Sequence, residues 1–191
     1  LLNGKRFPLL RKQAAKLKKD DPFLCLSDFV RPLSSGITDK IGAFATTVDA
    51  EMEQLYAEDD YKRMLAQTLS DRLGAKATAE KLHEDVRKKL WGYAPDENLS
   101  VKDLHNEKYQ GIRPAVGYPS LPDQSINFLL DELLDMKQIG ISLTENGMMK
   151  PHASVCGLMF AHPASRYFSI GKIGEDQLAD YAARRGMSIE E

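Results

Sequence analysis

The longest periodic signal in the chain runs over residues 59–90. Apolar side chains recur at Tyr61, Met64, Leu65, Leu69, Leu73, Ala77, Leu82, Val86 and Leu90. Steps of three, four and five keep them on one side of a helix, so the spacing predicts a long helix with that side against a core. Gly74 interrupts it at modest cost and predicts a bend. Gly92, Pro95 and Asn98 then break the pattern. Shorter helices are predicted over 100–108, with Ser100 as N-cap, over 126–138, ended by Gly140, and over 175–185, stopped by Gly186. A basic stretch over 11–19, opened by Pro8, reads as a further helix that Asp20-Asp21-Pro22 ends.

Four segments carry strand character: 23–30 (FLCLSDFV), 41–48 (IGAFATTV), 153–160 and 166–173. The last two predict a hairpin joined through His162-Pro163. Residues 32–40 read as a loop. Residues 111–125 hold Pro114, Pro119, Pro122 and two glycines, and are predicted to stand outside regular structure. A rigid loop of that length in a compact domain usually has a function. Strands and helices do not alternate regularly, so the expected fold is α+β, a single domain over residues 1–191 with an antiparallel sheet.

Composition narrows the function classes. At 42% hydrophobic the chain has apolar surface for a core, and 28% charged residues leave a net charge of only −2. Nucleic acid is therefore not the expected partner, since such binders draw their affinity from excess Lys and Arg. No apolar run approaches the ~18 residues of a membrane span, so no membrane is expected either. Cys25 and Cys156 lie far apart and outside any C-x-x-C pair, which predicts reduced thiols in a cytoplasmic protein. The start at Leu1 and the S-x-x-E end, a capping box with no helix after it, suggest a piece of a longer polypeptide. His83-Glu84 opens like H-E-x-x-H, but Arg87 stands where the second ligand belongs, so no metal site is expected. Nucleophile-elbow, P-loop and dinucleotide fingerprints are absent, and the residues point to no catalytic group of the chain's own.

Several blocks resemble the reactivation domain at the C-terminus of cobalamin (vitamin B12)-dependent methionine synthase. They are LSDFV (26–30), IGAFATT (41–47), DDYKRMLAQTLSDRL (59–73), LHEDVRKKLWGYAPDENLS (82–100), YQGIRPAVGYPSLPD (109–123), ASVCG (153–157), His162-Pro163 and YAARRGMS (181–188). They keep the family's order over nearly the whole chain, and the core RPxxGYP is specific. The resemblance implies a twisted antiparallel sheet flanked by helices, and binding of S-adenosylmethionine. It also implies a role in repair. When bound cobalamin has been oxidised to cob(II)alamin, a flavodoxin-type or other electron donor reduces it, and the methyl of S-adenosylmethionine restores methylcobalamin. Cobalamin itself belongs to another module of the same enzyme, with which this domain docks. As part of a methyltransferase lacking the folate, homocysteine and cobalamin modules, the chain alone is not expected to make methionine.

The resemblance carries site residues with it. Arg113 matches the family's clamp for the ligand carboxylate, which a planar guanidinium grips by two charge-assisted bonds, and Pro114 stiffens the adjoining backbone beside Ala115. By residue type alone, Arg113 reads first as a solvated arginine beside a turn; the RPxxGYP match reverses that order. Gly117 would let ligand and backbone approach closely. Tyr118 matches the residue that faces cobalamin on docking, and also suits a loop-packing tyrosine. Glu107 matches an acid near the sulfonium, and also suits an exposed helix-end glutamate. Tyr167 matches the aromatic at the adenine end; on a strand it would share a face with Ser169 and Gly171, while Phe168 points to a core with Ile170. Phe168 stands where the family often has a second tyrosine. A further acidic contact of the family lies upstream of the part matching Leu1. The helix over 74–80 reads one residue longer than the family pattern, so no acid is carried over from that turn. Two functions remain: the methyl-donor-presenting domain of a methionine synthase, expected as a monomer, or a detached regulatory module that docks on another corrinoid protein without methyl transfer.

Overall fold

The computed structural model describes residues 4–13, 22–48, 51 and 55–190. The basic helix expected over 11–19 falls largely outside the described residues; within them, Arg11 forms an antiparallel bridge with Cys25. Strand β1 (Gly42–Thr46) lies within the predicted strand. One long helical rod follows. It comprises α1 (Asp60–Ser70), a π-helical stretch (Asp71–Thr78), α2 (Ala79–Asp85) and a second π-helical stretch (Val86–Leu90). Next come α3 (Val101–His105), α4 (Ile126–Leu134), the short hairpin β2 (Ser142–Leu143) and β3 (Met149–Lys150), then β4 (Val155–Met159) and α5 (Glu175–Arg185).

Local chemistry explains the helix ends. Ser100 accepts a hydrogen bond from the Asp103 N–H while Asp103 accepts from the Ser100 N–H, a reciprocal cap on α3. Asp135, at φ +47°, breaks α4 before a 3-10 turn (Met136–Ile139), and Gly140 closes that turn. Gly186 ends α5 in the left-handed conformation.

β4 is the centre of the molecule. β1 pairs antiparallel along one edge, from Gly42↔Met159 to Thr46↔Val155. Along the other edge the stretch over 112–116 adds an irregular third strand, a correction to its reading as loop. Ile112 and Phe160 exchange two 2.9 Å bonds, Leu158 N–H donates to Pro114 O at 3.0 Å, and Val116 N–H donates to Cys156 O at 3.0 Å. Pro114 lacks an N–H and leaves one rung open, as an edge position allows. Side chains alternate across this sheet. Cys156, Leu158 and Phe160 join Leu26, Ile126 and Leu130 in the larger core on one face. Val155 and Met159 join Phe44 and Ala79 in a smaller core on the other. Cys156 is fully buried, and its thiol donates to Asn127 Oδ1 at 3.0 Å.

Two expected strands do not form. Residues 23–30 make a 3-10 turn (Leu26–Phe29), because the Asp28 carboxylate accepts from the Cys25 N–H at 2.9 Å and grips Arg11. Leu26 and Phe29 still reach the core. Residues 166–173 run without ladder pairing. The Ser169 hydroxyl accepts from the Gly171 N–H, Gly171 sits at φ +78°, and one bond from Ile170 N–H to Pro119 O holds the segment. The expected hairpin through His162-Pro163 is therefore absent.

The long helix forms, but its apolar side is covered only toward the end, where Leu82 and Val86 pack against the smaller core. Tyr61, Met64, Leu65, Leu69 and Leu73 are all exposed. Ser70, Gly74, Ala79, His83 and Arg87 face inward instead. Their one step of five, from 74 to 79, spans the π-helical stretch, which accommodates an extra residue within a turn. Gly74 serves close approach, not a bend: a Cβ there would meet Ala153 O and Val48 Cγ1 at 2.6 Å each. No helix among the described residues is long and apolar enough to cross a membrane.

Candidate functional site

On the side of the sheet that carries the helical rod lies an open groove of ≈ 950 Å³. The edge strand over 112–116 forms one wall. Its alternation buries Ile112, Pro114 and Val116 toward the core, with Pro114 also touching the groove, and leaves Arg113 and Ala115 half-buried on the groove side. The rod supplies the opposite wall with Arg72, Lys76 and Glu80, and Tyr167 and Phe168 close one end. Glu107 lines it from the second residue after α3, exposed and at φ +53°. Tyr118 stands at the rim, 56% exposed, on the turn that pairs it with Leu121.

Arg113, Pro114, Ala115, Tyr118, Tyr167, Phe168 and Glu107 thus meet in one cavity. Gly117 does not line it. It sits at φ +85°, donates its N–H to Leu121 O, and a Cβ there would meet the Gln124 side chain at 3.2 Å. The turn by itself requires its positive φ. Tyr167 reaches the groove from irregular backbone instead of a strand face. Its hydroxyl accepts the Arg113 N–H at 3.0 Å, and burial, reinforced by nearby Tyr109, pushes the phenol well above its usual range. Phe168 packs edge-on against Phe29, as its inward reading requires.

The Arg113 guanidinium is already engaged. Nη2 donates to Glu80 Oε2 at 2.6 Å, and Nη1 lies 3.0 Å from His83 Nδ1 and 3.2 Å from the Tyr109 hydroxyl. A guanidinium only donates, so His83 Nδ1 accepts and the ring proton sits on Nε2, toward Tyr93 Oη at 3.4 Å. Burial, and the positive charges of Arg113 and Arg87, push His83 down to about 3, so the imidazole is neutral. Burial also opposes the Arg113 charge, but Tyr109, Tyr167 and Glu80 outweigh it and hold the guanidinium above its ordinary value.

Behind this pair lies a second arginine. Arg87 is fully buried, makes three contacts of 2.7–3.0 Å with the Glu97 carboxylate, and stacks on the Tyr109 ring at 4.4 Å. Glu97, Arg87, Glu80 and Arg113 form a ladder of alternating charge, with 4.0 Å between Arg87 Nη1 and Glu80 Oε1.

Comparison with known proteins follows from this geometry. Residues 3–186 match the family model described as vitamin B12 dependent methionine synthase, activation domain. The chain belongs to this family. A solved structure described as the MetH reactivation domain bound to AdoHcy is similar, with 47% sequence identity and a TM-score of 0.88 over 95% of this chain. The match covers 57% of that solved chain, so the present chain spans little more than half its length.

Within the activation domain, the residues missed by sequence reasoning are Glu80, His83, Tyr109, Arg87 and Glu97. His83, which the sequence offers only as half of an incomplete H-E-x-x-H, is a buried hydrogen-bonded imidazole. A signal did exist. Glu80, His83 and Arg87 are spaced three and four apart on one helical side, next to the apolar stripe of Leu82 and Val86. The step of five from Ala77 to Leu82 marked the extra residue that turns this side inward.

Proposed function

We propose that this activation domain binds S-adenosylmethionine in the groove and presents its methyl group to cobalamin held by another module of a methionine synthase. The observation that carries this reading is the convergence of Arg113, Tyr167, Glu107 and Tyr118 on one cavity of a size suited to such a ligand. Family membership, and the relative whose structure contains AdoHcy, support it.

The groove's residues have distinct tasks on this reading. Arg113 takes the ligand carboxylate, with its backbone fixed by Tyr167 and by the pairing to β4. Tyr167 and Phe168 offer apolar ring surface to the adenine. Glu107 favours the positive end of the ligand. Tyr118, exposed at the rim, meets the cobalamin module on docking. Cobalamin, held by the other module and reduced by a flavodoxin-type or other electron donor, would supply the acceptor for the sulfonium methyl that these residues position. The domain acts in the cytoplasm and makes no methionine by itself.

Calorimetric titration with S-adenosylmethionine tests the reading. Arg113→Ala removes a charged partner from a half-open site, so affinity should fall roughly thirty-fold, equivalent to ~2 kcal/mol. Unchanged affinity in a variant folded by circular dichroism would refute the clamp.

A further inference from the structure

The charge ladder behind the groove contains two orphaned atoms. Glu80 Oε1 and Arg87 Nη1 are both buried, and among the described residues neither has a hydrogen-bond partner. They face each other at 4.0 Å, about 1 Å beyond hydrogen-bond length. Leaving two buried charged groups short of a bond is costly, and proteins rarely do so without a reason. Arg87 is not free to close the gap. Glu97 holds it through Nε and Nη2, and the Tyr109 ring lies against its face. Glu80 is the member that can move. It is partly exposed, and it lies just beyond the π-helical stretch.

Arg113, meanwhile, has a carboxylate on it already. A ligand carboxylate that grips Arg113 through Nε and the remaining Nη2 hydrogen would bring a second anion beside Glu80 Oε2, which holds Nη2 at 2.6 Å, so the two carboxylates compete for one cation. A displaced Glu80 with no other partner would be a half-buried anion and would oppose binding. The geometry points to Arg87 as the second berth: we propose that Glu80 exchanges its carboxylate from Arg113 to Arg87 when a ligand carboxylate arrives. Glu80 and Arg87 are then positioning residues, with Glu97 anchoring the far end. The exchange rests on the reading of Arg113 as the carboxylate clamp. It makes the site selective for ligands that carry a carboxylate, because only these displace Glu80.

Two ligands isolate the step. S-adenosylmethionine carries the carboxylate; decarboxylated S-adenosylmethionine keeps the adenosine, sulfonium and amine and lacks it. Arg87→Lys retains the charge toward Glu97 but loses the planar fork that faces Glu80. It should weaken S-adenosylmethionine about tenfold, the scale of one charge-assisted bond, and leave the decarboxylated ligand unchanged. In a Glu80→Gln background no carboxylate needs a berth, so Arg87→Lys should lose its effect. Equal weakening of both ligands, or no weakening, overturns the exchange. Arg113→Ala reports on the underlying reading separately: it should abolish discrimination between the two ligands, and if it does not, the clamp itself fails. Should Arg87→Lys not fold, a crystal structure of the wild-type domain with S-adenosylmethionine decides. Glu80 Oε1 within hydrogen-bond distance of Arg87 Nη1 supports the exchange, and Glu80 still on Arg113 refutes it.

Discussion

Gly157→Ala is a one-methyl perturbation aimed at the seam between β4 and the strand that carries Arg113. A Cβ at Gly157 would stand 2.3 Å from Pro114 O, 2.8 Å from Ala115 Cα and 2.9 Å from Phe44 Cε1. Relaxed carbon–oxygen contacts lie near ~3.3 Å, so the overlap is about 1 Å. Two of the three obstacles are backbone atoms, and the third belongs to a buried ring. No flexible side chain can step aside. The strand over 112–116 must move off β4, straining the 3.0 Å bonds Leu158 N–H to Pro114 O and Val116 N–H to Cys156 O. Overpacking costs about 1–3 kcal/mol, and a weakened hydrogen bond adds ~1 kcal/mol. A loss of about 3 kcal/mol in a domain of this size lowers Tm by roughly 6–12 °C. Differential scanning calorimetry reads the shift, and titration with S-adenosylmethionine should show weaker binding because Arg113 moves with the strand. Gly36→Asn is the control: its φ is +66°, open space surrounds it, and asparagine tolerates that conformation. A Gly157→Ala variant that melts within ~2 °C of wild type and binds normally would refute the argument.

Two other outcomes are expected. His83 is neutral when folded, with its titration pushed down to about 3, while the unfolded residue titrates near ~6.5. Between those values the unfolded state binds the extra proton, so stability rises with pH and is lost on acidification, by about 1.4 kcal/mol per unit. Denaturant melts from pH 6 to 4.5 should show that slope, and His83→Gln should flatten it by one proton; an unaltered slope would place the titration elsewhere. Sedimentation should find the chain monomeric at micromolar concentration, and a stable dimer there would contradict this and implicate the exposed Tyr61, Met64, Leu65, Leu69 and Leu73 side of α1 and the π-helical stretch after it.

Much of the architecture was legible because its signals are local. β1, the Ser100 cap and the glycine stop at Gly186 depend on neighbours within a few residues, whereas the helix expected to run to Gly140 ends at Leu134, where Asp135 takes a positive φ. The failures share a cause as well. Asp28 and Ser169 bond to nearby main chain, which diverts 23–30 and 166–173 from the ladder although both carry strand-like patterns. The long helix was found, but of its apolar positions only Leu82 and Val86 pack against a core, since the deepest burial follows His83 and Arg87 inward toward partners such as Tyr109 and Glu97. In the groove, Arg113 and Tyr118 come from the RPxxGYP motif and Tyr167 from the wider resemblance. Gly117 lies outside the groove lining, in a turn that itself requires its positive φ. The partners of Arg113 were not legible, because Glu80 and His83 meet it only across some thirty residues and a π turn.

The burial of both cysteines gives the domain internal clocks for its own opening. Cys156 lies at the centre of β4, with its thiol pushed up to about 12 by burial and by Asp131. An alkylating reagent needs a solvated thiolate, so it can modify this sulfur only when the sheet itself comes apart. Cys25 is also buried, at the bridge to Arg11, and becomes reachable once that N-terminal contact lets go. Timed alkylation followed by mass spectrometry would therefore separate release of the N-terminal arm from global unfolding in one untagged sample.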